Sequence, residues 1–239
     1  MRLPRLFAPG QAQLVEVRFL PVVGDHWRTS SDKPLPEKIT RWLGEHVRTN
    51  GVALHAWSIS LRHLLMLATP PDDKALGATV QAIGRHLAAE LKTGSIFENR
   101  YKSSLIDPEW VLLVQIWLES APVRDGEATR ASAWPWSSAA GHTGLGEPSK
   151  QNLVAVSDHE CYWACGNTPF DRQANYRARL AEGLTAIEHN RIESALSGQW
   201  ALGSERYLEQ VAKWRTGESR RASGEGGQTS GANDPSLIK

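Results

Sequence analysis

A chain of 239 residues that is 41% hydrophobic and 22% charged can bury a core of ordinary size, which excludes a fully unfolded protein. Its 27 basic residues nearly balance 26 acidic ones for a net charge of +1, so indiscriminate coating of polyanions is excluded as well, while local basic clusters stay open. No apolar run reaches the roughly 18–20 residues that a bilayer span requires, and the opening MRLPRLFAPG lacks the apolar stretch of a secretory leader, so a cytoplasmic location without a membrane partner is expected. The two cysteines, Cys161 and Cys165, supply neither a disulfide framework nor a second ligand pair for zinc.

In chain order, LVEVRF at 14–19 reads as a short strand, followed by a polar segment up to Pro36. From there Ile39, Trp42, Leu43 and Val47 recur at helical spacing, with Pro36 in the first turn and Asn50-Gly51 as the stop. Residues 52–59 and 62–69 read as two strands joined by a tight turn and halted by Pro70-Pro71. A helix is predicted over about 72–91, with Leu76, Val80, Ile83 and Leu87 on one face, and a second, strongly apolar one over 108–120, with Asp107 as its N-cap. The order predicts a split βαβ arrangement on a mainly antiparallel sheet. Two or three helices follow between about 170 and 214, and the Gly-, Ser- and Arg-rich stretch from 215 is expected to be a disordered tail.

Several stretches, in one uninterrupted order, resemble the REP-associated tyrosine transposases, single-tyrosine HUH proteins related to insertion sequence 200. They are RLPRLFAPGQ at the start, GVALHAW (51–57), FENRYKSSLID (97–107), APVR (121–124), WPWSS (134–138), YWACGNTPFDRQANYRA (162–178) and WALGSERY (200–207). The resemblance implies a ferredoxin-like HUH domain over 1–140, a connector with a helical C-terminal extension over 141–214, and the tail over 215–239. It also implies single-stranded or hairpin DNA of repetitive elements as partner. In active members, two histidines on one strand face hold magnesium or manganese, and a helix tyrosine attacks the polarised phosphate.

Set against that pattern, the strand LRHLLML keeps His63 at the first histidine position and has Leu65 at the second. The nucleophile position, five residues before the proline of APVR, is Trp117, which carries no oxygen, and the asparagine before that proline is Ala121. His55 is expected to pair near Met66, too far from His63 to substitute as a ligand. His63 alone would be a weak, relic metal ligand, so no catalytic residue and no bound cofactor are expected. The segment between Arg85 and Phe97 is contracted relative to the family's arginine-rich loop. The family frame nominates Arg2, Arg5, Arg18, Arg62, Arg85, Arg100, Lys102 and Arg124 as DNA contacts, with Arg62 in place of the usual asparagine beside the histidine. Trp134 and Trp136 read as core, and the two cysteines as packing residues. The expected function is DNA binding without strand transfer, by a monomer or a homodimer. The alternatives are an active transposase with a displaced nucleophile and a repurposed interaction protein without a DNA role.

Overall fold

Four strands carry the molecule, and their hydrogen-bonded order fixes its topology. In the computed structural model, which describes residues 5–29, 34–146 and 154–216, β1 (Gln13–Arg18), β2 (Ala53–Ile59), β3 (His63–Thr69) and β4 (Lys102–Leu105) form one sheet in the order β2-β3-β1-β4. Every neighbouring pair is antiparallel. Helices α1 (Pro21–Thr29) and α2 (Leu35–Thr49) lie between β1 and β2, and α3 (Ala75–Leu91) lies between β3 and β4. This is the ferredoxin-like α/β arrangement.

Alternation along the strands divides the core in two. Val15, Val17, Leu64, Met66 and Ala68 point to the face covered by α2 and α3, where Ile39, Leu43 and Val47 meet Leu76, Val80, Ile83 and Leu87. Gly84 of α3 is required by this packing, because a Cβ there would come 2.8 Å from Phe97 Cε2. Leu14, Leu65, Leu67 and Ala56 point to the opposite face, against Val111, Val114, Trp117, Leu118 and Ala121. Those residues belong to α4 (Pro108–Glu119) and to the single turn α5 (Ala121–Arg124) that follows it. Fully burying side chains of this size contributes about 1.5–3 kcal/mol each.

After α5 come a 3-10 turn (Ala131–Ala133), α6 (Ala139–His142), α7 (Glu160–Trp163), α8 (Pro169–Glu182), α9 (Ala186–Gly198) and α10 (Glu205–Thr216). Ile192, Ala195 and Leu196 of α9 complete the second core. Asp107 caps α4 as expected, its Oδ1 accepting from the Glu109 N–H at 3.2 Å. Its Oδ2 accepts from the Ser204 N–H and hydroxyl at 3.0 and 2.9 Å, which fastens the start of α10 to the start of α4.

The structure departs from the sequence reading in five places. The segment after Arg18 is not simply polar: α1 forms there because Val23 is fully buried and Val22 and Trp27 pack beside it. β4 exists although KSSL shows no apolar alternation, and Ser103 and Ser104 are buried in it. Helix α3 starts at Ala75, while Asp72 accepts the Lys74 and Ala75 N–H groups at 2.8 Å each. Trp57 stands opposite Met66, and His55 sits in a bulge between the Leu54 and Ala56 pairings. Its ring is satisfied by Ser157 O at 2.6 Å and Thr69 Oγ1 at 2.8 Å. Trp134 and Trp136 are half-buried rather than core; Trp134 stacks on Trp27 and donates from Nε1 to Ile59 O at 2.8 Å.

Candidate functional site

Three groups of polar side chains stand out, and the first surrounds His63 at the start of β3. β3 begins where β1 ends, so Arg18 pairs with His63 and Glu16 with Leu65, all on the face that meets α4. His63 Nε2 lies 3.4 Å from Asp125 Oδ2, and both atoms are shielded from solvent without hydrogen-bond geometry. Burial lowers the His63 pKa against the opposing pull of Asp125, so the ring is neutral at ordinary pH. Leu65 and Ala121 are fully buried, and the Trp117 indole is 5% exposed with no partner for its Nε1. The Arg124 guanidinium stacks 4.5 Å over the Trp117 ring and donates to the Trp117 carbonyl.

A divalent ion requires several hard or borderline donors converging on one point. Around His63 the neighbouring strand position offers leucine, and no group of three or more His, Cys, Asp or Glu suited to a metal occurs among the described residues. The donor set around His63 does not fit a divalent ion. Three of the four tyrosine hydroxyls are held by other groups. The hydroxyl of Tyr162 donates to His142 O, that of Tyr176 to Glu119 and that of Tyr207 to Gln11. Burial raises the pKa of all three and of Tyr101, Tyr162 to about 12, which keeps each phenol protonated.

The second group is basic. Arg5, Arg85 and Arg100, from three separate segments, line one groove of about 560 Å³ between α3 and the chain leading into β4. Phe97, Asn99 and Tyr101 share its wall, and no Asp or Glu is among its described lining residues. The Arg5 guanidinium lies 3.5 Å from the Tyr101 ring centroid and donates to the Tyr101 carbonyl at 2.9 and 3.3 Å. Arg85 and Arg100 are exposed. The other nominated cations do not join them. Arg18 and Lys102 both turn to Glu16, at 3.0 and 3.9 Å, Arg124 is held by Trp117, and Arg62 is exposed on the β2–β3 turn. Arg2 lies outside the described residues, as does the tail from residue 217.

The third group escaped the sequence reading. Glu119, fully buried at the end of α4, accepts from the Tyr176 hydroxyl at 2.7 Å, the Ser138 hydroxyl at 2.6 Å and His142 Nδ1. The Gln115 amide lies 3.0 Å from the same imidazole nitrogen, and His142 Nε2 lies 3.6 Å from Asp158 Oδ1. The carboxylate, not the imidazole, receives the Ser138 proton, so this is no nucleophile–base relay of the serine-hydrolase kind. A carboxylate at the end of the apolar run VLLVQIWLE was the one available signal, because a buried acid needs donors.

Burial by itself pulls the His142 pKa down, but Glu119 and Asp158 outweigh it and push it up to about 9. The folded pKa then lies above the ordinary value of 6.5, so this stabilisation is present in full below pH 6.5 and is lost as pH rises through about 9. His55 and His159, whose pKa values are lowered by burial, act oppositely and favour the fold above their ordinary range. Denaturant unfolding at pH 6.5 and 9.5 should show the native protein losing roughly 2–3 kcal/mol more than a His142→Gln variant over that interval. Equal losses in the two proteins would contradict a charged His142.

No family model matches the sequence, and no curated protein matches it. A solved structure described as that of the REP-associated tyrosine transposase bound to a REP hairpin is similar to this chain. The two are 17% identical with a TM-score of 0.49, over 67% of this chain and 96% of that one. Among the described residues, no helix is long and apolar enough to cross a membrane.

Proposed function

We propose that this protein is a DNA-binding relative of the REP-associated tyrosine transposases that holds single-stranded or hairpin DNA without cutting it. The observation that carries the reading is the convergence of Arg5, Arg85 and Arg100 on one groove free of carboxylates among its described lining residues. Guanidinium groups pair with phosphates, and each contact releases condensed counterions. Phe97 and Tyr101 add ring surface on which an unpaired base can stack. The collinear motifs supply the class of DNA. Trp117, Leu65 and Ala121 argue against strand transfer, since an in-line attack on phosphorus requires an oxygen nucleophile and a cation to hold the developing charge.

The test is a binding titration with a hairpin bearing a single-stranded flank, against a blunt duplex of equal length. The hairpin should bind more tightly, with affinity falling as salt rises. The double variant Arg85→Ala, Arg100→Ala should lose about tenfold or more, and the slope of log affinity against log salt should shrink by about 1.5–2. Arg5 is left intact because its stack on Tyr101 shapes the groove wall. The same mixtures with manganese, run on a denaturing gel, should leave no label on the protein. Equal, negligible affinity for every DNA form would favour the repurposed interaction protein. A covalent band that vanishes when Tyr101, Tyr162, Tyr176 or Tyr207 is changed to Phe would restore the active transposase.

A further inference from the structure

A second, larger cavity, of about 1060 Å³, opens between β2, the chain from the 3-10 turn to α6, and α8. It lies on other elements than the basic groove. We propose that it is a binding site for a guanine base, presented as a free nucleotide or as an unpaired base of a nucleic acid. The size is slightly above the usual range of small-molecule sites and leaves room for the sugar and phosphate. Trp57, Trp134 and Trp136 line it, which suits a flat heteroaromatic ring better than an aliphatic ligand.

The polar wall selects among such rings. Two of its members, His142 and Asp158, stand side by side, 3.6 Å from Nε2 to Oδ1. Nδ1 of His142 is committed to Glu119, so Nε2 is the ring's remaining donor. Asp158 keeps 32% of its side chain accessible, and its carboxylate offers acceptors only. Guanine presents the complementary edge: O6 accepts, and N1–H beside the N2 amino group makes a two-pronged donor for a carboxylate. Adenine has a single exocyclic donor on that edge and cannot form the bidentate contact.

The deep half of this wall is fixed before any ligand arrives. Ser138 accepts from the Trp57 N–H at 2.9 Å and donates to Glu119, which also orients His142. The donor is therefore held by a buried carboxylate that also anchors Ser138 to the backbone of β2, the preorganisation that a selective site needs.

Calorimetry on the full chain with guanosine and adenosine 5′-monophosphate tests the free-nucleotide source. Guanosine monophosphate should bind at sub-millimolar level and at least tenfold more tightly than the adenosine form. Asp158→Asn, a change at an exposed side chain, should remove at least tenfold of that affinity, and Trp136→Ala should weaken it while Trp136→Phe restores it. The Arg85→Ala, Arg100→Ala protein should bind the nucleotide as the native one does, so failure of the basic groove and failure of this site are told apart. For the nucleic-acid source, hairpins with a guanine, an inosine or an adenine in the flank are compared. A preference for guanine that Asp158→Asn erases supports the site even if the free nucleotide does not bind, and assigns its ligand to nucleic acid. No guanine preference in either arm, or a preference that Asp158→Asn leaves intact, overturns the proposal.

Discussion

Glu119→Ala should be the most damaging single substitution in this protein, lowering stability to urea by about 3–5 kcal/mol. The substitution takes one acceptor away from three donors at once, the Tyr176 and Ser138 hydroxyls and His142 Nδ1. The Tyr176 hydroxyl and His142 Nδ1 are left buried without that acceptor, while Ser138 keeps the Trp57 carbonyl at 3.2 Å, and a buried group with no partner costs about 1–3 kcal/mol. His142 would face Asp158 alone, at 3.6 Å, and would lose most of what holds its proton. Tyr176→Phe removes a single donor and should cost about 1–2 kcal/mol. A Glu119→Ala loss no larger than the Tyr176→Phe loss would mean that the network does not act as a unit.

Trp117→Ala comes second, at about 3–5 kcal/mol, from the cavity left when a large buried aromatic is truncated. Trp117 packs in the core that joins α4 and α9 to the sheet, so the void would open inside that core rather than at the surface. Its loss also strips Arg124 of the ring under its guanidinium. Trp117→Tyr should cost less, because most of the ring volume remains, and should form no DNA adduct, because the phenol gains no metal beside it. Thermal unfolding of both variants, with the denaturing gel run on the second, checks the pair. A Trp117→Ala protein as stable as the native one would show that the indole is not the keystone of this core.

The sheet and the main helices were legible because their signals are periodic. Ile39, Leu43 and Val47 mark one helix face, and the alternation on either side of Ser60 marks two strands. β4 was not, because buried serines do not read as strand; Ser104 earns its place through a bond to the Ala195 carbonyl at 2.9 Å, a partner 91 positions away. The nominated arginines could be named from the motifs but not sorted. Only the folded chain brings Arg5 to Arg85 and Arg100 and turns Arg18 and Lys102 toward Glu16. The Glu119 network was beyond reach for the same reason, since its members come from α4, α6 and α8 and share no spacing in sequence.

Helix α4 is buried on every side along 114–119, with Trp117 and Leu118 in the second core and Glu119 in the polar network. A tyrosine at 117, a histidine at 65 and an asparagine at 121 would each set a polar group into a close-packed space, so each substitution made alone lowers stability. The packing that makes the fold durable also makes these positions intolerant of polar side chains.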